Sequence, residues 1–137
     1  MKEVIKSWKV FMEEVEKAPE DLDVVVKIVL IDEDDKILVL TNEQPGYDLP
    51  GGHIREGESK DEGLIREVFE ETGLKIEDFS RLDYSIGNKT FYRGPVPNKD
   101  VSLSAEHKNY DFLSFKDIKE SGITRSFQLA IEAALRP

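Results

Sequence analysis

Three observations predict an α/β fold, a single-domain layered sandwich around a mixed β-sheet. Strand-like and helix-like segments are interspersed along the chain rather than gathered in blocks. The length of 137 residues fits one domain. Hydrophobic residues make up 39% of the chain, enough for a core, and no internal repeat or low-complexity tract interrupts it.

The elements follow in order. Val4, Ile5, Trp8, Phe11, Met12 and Val15 recur at helical spacing, so residues 3–17 of the N-terminal extension (1–20) read as an amphipathic helix ending before Pro19. The stretch 7–11 is also compatible with a strand. Residues 23–31 are rich in β-branched side chains and read as a largely buried strand. After the polar turn 32–35, residues 36–41 form its hairpin partner. Residues 42–47 read as a loop, followed by the Leu49-Pro50-Gly51-Gly52 turn. Ser59 with Glu62 is a capping box. It predicts a helix from Lys60 to Thr72, with Gly73 as a left-handed cap. Residues 81–86 and 89–93 flank Gly87-Asn88 as a hairpin, and residues 94–100 read as a loop. Residues 109–114 read as a strand and residues 124–135 as a C-terminal helix with Phe127, Ile131, Ala134 and Leu135 on one side.

Composition excludes several function classes. The net charge is −10, from 29 acidic and 19 basic side chains. That disfavours a protein that grips long nucleic acids by counterion release. An anionic substrate stays open if a bound metal supplies positive charge. The absence of cysteine removes disulfides, thiolate metal sites and thiol nucleophiles. Apolar runs are far shorter than the ~20 residues of a membrane span, and the N-terminus mixes charges with apolar residues, so no membrane partner and a cytoplasmic location are expected.

The chemistry gathers on the helix that the capping box starts. On a helical wheel with Glu67 at zero, Leu64, Val68, Ile65 and Phe69 fall between roughly 60° and 200°, which predicts the core face. Glu71 lies near 40° and Glu70 near −60°, so three carboxylates line one arc, with Arg66 at its far edge. Glu67 and Glu71 are like charges at i, i+4, which costs an isolated helix a few tenths of a kcal/mol. Glu70 and Glu71 also sit in the last turn, where the macrodipole disfavours anions. A divalent cation would remove both penalties, and clustered carboxylates suit Mg²⁺ or Mn²⁺. An ordinary solvated acidic face is the competing reading, and residues alone leave the two about even.

Spacing decides between them. Gly52, Glu58, Arg66, Glu67, Glu70, Glu71 and Gly73, with aliphatic Val68 and Leu74, stand at intervals that resemble the full signature of the Nudix hydrolases. Seven fixed matches by chance are of order one in ten million per starting position. The box covers residues 52–74, and the Leu49-Pro50-Gly51-Gly52 turn and element order extend the resemblance. Many members carry an acid three residues after the second glycine of that turn, where this chain has Arg55 followed by Glu56.

The resemblance implies a Nudix-type α/β/α sandwich and Mg²⁺-dependent (or Mn²⁺-dependent) hydrolysis of a nucleoside diphosphate linked to another group. It implies Glu70 and Glu71 as metal ligands, assisted by the carbonyl of Gly51. Glu67 would be a ligand or the base, Arg66 its orienting partner, and Glu58 a holder of the loop and the metal's waters. The resemblance also implies Glu106 as a second acid, either a further metal ligand or, in place of Glu67, the base. It stands in Ser104-Ala105-Glu106-His107-Lys108-Asn109-Tyr110-Asp111-Phe112-Leu113, which resembles a stretch of many members. His53, Arg55 and Tyr92 are candidates for substrate contact, and His107 reads as a packing or hydrogen-bonding residue. Lys89, Arg93, Lys99 and Lys108 are scattered basic candidates. Glu20, Asp21, Asp34, Asp35 and Glu77 read as surface charge. A nucleoside triphosphate or dinucleoside polyphosphate is the expected small partner of a monomer or homodimer. A non-catalytic nucleotide sensor or protein-interaction module of the same fold is the alternative.

Overall fold

The computed structural model describes residues 23–41, 46–107 and 109–136. The segment 3–17, with its expected helix, lies outside the described residues. Seven strands form one mixed sheet. The central strand β1 (Val25–Ile31) is buried along nearly its whole length. It pairs in parallel with β6 (Lys89–Pro95), from Val25 opposite Lys89 to Ile31 opposite Pro95. Its other edge is shared. β4 (Gly51–His53) pairs antiparallel with Val25, Val26 and Lys27, whereas β2 (Ile37–Thr41) takes over at Ile31. β2 also pairs with β7 (Asn109–Leu113) and the short β3 (Tyr47–Asp48), and β5 (Ser80–Ile86) closes the far side on β6.

Alternation along β1 explains why its sequence is a continuous apolar run. Val26, Ile28 and Leu30 pack with Leu64 and Val68 of helix α1 (Lys60–Thr72) and with Tyr92. Val29 faces the other way, onto Ile118 of α2 (Phe115–Glu120) and Phe127, Ala130 and Ile131 of α3 (Arg125–Leu135). A strand covered on both faces has no solvent side to mark with polar residues. Lys27 is the exception, a charge on the face of Val25 and Val29.

Expected and observed elements agree closely for β1, β2, α1, β7 and α3. The Ser59–Glu62 capping box forms with both hydrogen bonds, and Gly73 caps the helix at φ 74. The differences have physical reasons. The strand expected to end at residue 93 runs on to Pro95, because parallel pairing with Leu30 and Ile31 continues. Proline is tolerated at that terminal position. The Gly51-Gly52 turn is itself a strand, β4, and α2 follows directly on Ser114, whose hydroxyl caps it by accepting from the Asp117 N–H.

A further difference is the core face of α1. Ile65 and Phe69 are 40% and 48% exposed, whereas Gly63, Leu64, Val68, Glu71 and Thr72 are buried. The buried arc is rotated toward the acids because the helix packs across β4 as well as over β1. A Cβ on Gly63 would stand 2.7 Å from the Ile54 side chain.

Candidate functional site

The site begins where β4 passes beneath α1. Gly51 has φ 133, and a Cβ there would meet the Val26 carbonyl oxygen at 2.0 Å. Only glycine can bring this turn so close to β1. A Cβ on Gly52 would lie 2.6 Å from Glu67 Oε2, so that carboxylate rests directly on the glycine backbone.

Arg66 organises the acids beside it. Its Nε and Nη2 donate to the two oxygens of Glu58 at 2.7 and 3.0 Å. Nη1 donates to Glu67 Oε1 at 3.0 Å and Glu70 Oε2 at 3.1 Å, and Nη2 also donates to the His53 carbonyl at 3.0 Å. A two-pronged pairing of this kind fixes both groups in one plane. The guanidinium holds the Glu58 carboxyl below the usual carboxylate range, and Glu58 and Glu67 in turn raise Arg66 above the ordinary guanidinium value.

Glu71 differs from the other acids because it is 4% exposed. The Gly51 N–H donates to its Oε1 at 2.7 Å. Burial, reinforced by the charges of Asp48 and Glu67, pushes its carboxyl up to about 7 despite the Gly51 N–H and Lys27. Around it stands a group of residues from three separate segments. Lys27 Nζ pairs with Asp48 Oδ1 at 3.0 Å and donates to the carbonyls of Leu49 at 3.0 Å and Gly51 at 3.2 Å. His107 Nδ1 lies 3.4 Å from Glu71 Oε2, and its Nε2 lies 3.6 Å from Asp48 Oδ2. The loop carrying His107 is tied to the end of α1. Ser102 N–H donates to the Thr72 carbonyl at 2.8 Å and Ser104 N–H to that of Glu71 at 3.1 Å. The unsatisfied carbonyls of a helix C-terminus are thereby used to hold a site loop.

These groups line a cavity of about 580 Å³. Asp48, Glu67, Glu71 and Glu106 supply its acids, Lys27 and Lys89 its cations, and His53, His107, Asn88, Gly51 and Gly52 its remaining polar wall. Val25 and Phe127 complete it. The cavity therefore brings together Gly51, His53, Glu67, Glu71 and Glu106 of the expected residues. Glu58 and Glu70 stand beside it, engaged by Arg66. Arg55 is exposed and pairs with Glu70 Oε1 at 3.4 Å.

The structure does not bring Tyr92 to the cavity. Register opposite Ile28 turns it onto the α1 side, where its hydroxyl donates to Asp61 Oδ1 at 3.0 Å and its ring meets Phe79 edge-on. Burial and Asp61 push the phenol up to about 12. Of the basic candidates, Lys89 lines the cavity. Arg93 instead donates to the carbonyls of Ala134 and Arg136, Lys99 pairs with Asp32 and Glu33, and Lys108 lies outside the described residues. Lys27 and Asp48 were not singled out by sequence. The signal for Lys27 was present, a lone charge within a buried apolar strand.

The donor set fits a divalent cation. Glu71, Glu106 and His107 each offer a ligand atom within 4.8 Å of the others. The buried Glu71 carboxylate is short of positive charge, and His107 Nδ1 is buried without a hydrogen-bond partner. Among the described residues no helix is long and apolar enough to cross a membrane.

The family model described as the NUDIX domain matches residues 21–126. A protein of Bacillus subtilis (strain 168), provisionally named an 8-oxo-dGTP diphosphatase, is 46% identical over 46 residues. That stretch covers 34% of this chain and 31% of the relative, so less than a third of the relative's length is matched. The MutT protein from Methanosarcina mazei Go1 superposes with a TM-score of 0.60 at 28% identity, covering 79% of this chain and 88% of that one. An Ap4A hydrolase of C. elegans superposes at 0.66 with 20% identity, covering 80% and 92%, a likeness of fold.

Proposed function

We propose, since the chain belongs to the NUDIX family, that it hydrolyses a pyrophosphate bond in a nucleoside diphosphate linked to another group, with a divalent metal as cofactor. The observation that carries this reading is the buried Glu71 facing a cavity whose acids are oriented by Arg66 and the Gly51-Gly52 backbone. A divalent cation supplies charge neutralisation of phosphate oxygens and a more acidic water.

The chain's own residues do the rest. Glu71, Glu70 and the Gly51 carbonyl would hold the metal, and Glu58 braces Arg66. Glu67 is the base, since Arg66 Nη1 fixes one of its oxygens at 3.0 Å and Gly52 leaves room for the other. The water oxygen bonds to one phosphorus, its proton passes to Glu67, and the bridging oxygen leaves with the bonding pair on the other phosphate. Lys89 and His53 supply positive or donor groups for phosphate oxygens around the cavity. Its volume, about 580 Å³, suits one nucleotide. We assign nucleoside triphosphates or dinucleoside polyphosphates as the substrate class.

The test is phosphate and nucleotide release with Mg²⁺ or Mn²⁺ over a panel including 8-oxo-dGTP, dNTPs, Ap4A, nucleotide sugars and triphosphorylated RNA. Turnover of one class that Glu71→Gln abolishes supports the reading. Turnover unchanged in that variant refutes the role of Glu71. Binding without turnover of any member favours a sensor.

A further inference from the structure

We propose that His107 is a direct nitrogen ligand in a mixed imidazole–carboxylate metal site with Glu71 and Glu106, a donor set that favours a divalent first-row transition ion over Mg²⁺. The proposal rests on the reading of Glu71 as a metal-binding carboxylate. Its own support is the geometry of the histidine.

The His107 side chain is 4% exposed, and Nδ1 has no hydrogen-bond partner. What Nδ1 faces is Glu71 Oε2 at 3.4 Å. Nδ1 makes no hydrogen bond to that oxygen, and an ion placed between the two would bond to both. Two ligands with bonds of about 2.0–2.2 Å to one ion stand about 3.0–3.5 Å apart, which the observed spacing matches. Glu106, exposed at the cavity wall, brings a third donor within 4.8 Å.

The other ring nitrogen supports the same assignment. Nε2 faces Asp48 Oδ2 at 3.6 Å, slightly beyond a hydrogen bond, and Lys27 holds Asp48 from the opposite side at 3.0 Å. Carboxylate, imidazole, metal is the order in which ligating histidines are oriented and made more basic. The pair of buried Lys27 on β1 and half-buried Asp48 on β3 then positions His107. Imidazole nitrogen is a poor ligand for Mg²⁺ and a good one for Fe²⁺, Co²⁺ or Zn²⁺, with Mn²⁺ between them. A protonated His107 pairing with both acids is the alternative, and it places no nitrogen on the metal.

The chain has two histidines, so nitrogen ligation is assignable. Pulsed EPR on the intact protein loaded with Mn²⁺ is expected to show ¹⁴N coupling, retained in His53→Gln and lost in His107→Gln. Calorimetric titration of Co²⁺ and Mg²⁺ is expected to show Co²⁺ affinity falling roughly tenfold or more in His107→Gln, with Mg²⁺ affinity little changed. Asp48→Asn, which keeps the ligand, is expected to retain the coupling and weaken Co²⁺ binding less. Bound Mn²⁺ without nitrogen coupling, or coupling lost only in His53→Gln, overturns the proposal while leaving the carboxylate metal site standing. Failure of the wild-type protein to bind any of these ions overturns both.

Discussion

Replacing Glu71 by glutamine should make the protein more stable in chelator and less responsive to metal. Burial raises this carboxyl from its usual 4.5 to about 7, so the fold resists its ionisation. Between those values the native state binds more protons than the unfolded chain, and stability falls as pH rises. At about 1.4 kcal/mol per pH unit, the full penalty near pH 8 is about 3 kcal/mol. Near pH 5.5 it shrinks to about 1 kcal/mol, because the folded carboxyl is then mostly protonated. Glutamine removes the charge and keeps an oxygen for the Gly51 N–H. Its amide also gains a possible acceptor in the unpartnered His107 Nδ1. Urea unfolding in EDTA should therefore show Glu71→Gln ahead of wild type by about 3 kcal/mol near pH 8, with the gap closing toward pH 5. With millimolar Mn²⁺ the order should reverse, since the wild type gains binding energy that the variant cannot. A variant no more stable than wild type in chelator near pH 8, or a gap that does not change with pH, would refute the reasoning.

Other outcomes follow from the same geometry. Gly52→Ala should cut kcat at least about tenfold with little change in Tm, because its Cβ displaces only the carboxylate end of Glu67. Gly51→Ala should instead cost about 3 kcal/mol or more in unfolding, since its Cβ collides with the Val26 backbone at a positive φ. Arg66→Met leaves Glu58 and Glu67 without their shared partner. A loss of about 2 kcal/mol in denaturant unfolding and of most activity is expected. Tyr92→Phe should lower stability by about 1 kcal/mol through the lost Asp61 hydrogen bond, with KM unchanged; a raised KM would return Tyr92 to the substrate site.

Local rules made much of the fold legible. The α1 boundaries follow from Ser59, Glu62 and Gly73, each of which acts within one helical turn. β1 and β2 follow from a β-branched run broken by the Asp-rich turn 32–35. Elements defined by partners rather than by local pattern were less legible. Gly51–His53 is a strand because Val25–Lys27 pairs with it. Ile65 and Phe69 share a wheel face with Val68, yet α1 buries Glu71 instead because β4 lies on that side.

The candidate site divides in the same way. The acids of the Nudix box and Arg66 could be placed from sequence because one short helix and its preceding turn carry them at set intervals. Lys27, Asp48 and His107 could not, because they lie 21 or more residues apart along the chain and meet only after β1, β3 and the 101–107 loop are assembled. Sequence by itself determined the family, the helix and the identity of its carboxylates. The tertiary structure decided which carboxylate is buried, which are paired with Arg66, and that an imidazole stands against the buried one. Burial and long-range pairing are properties of the packed sheet, and they set the electrostatics on which the chemistry depends.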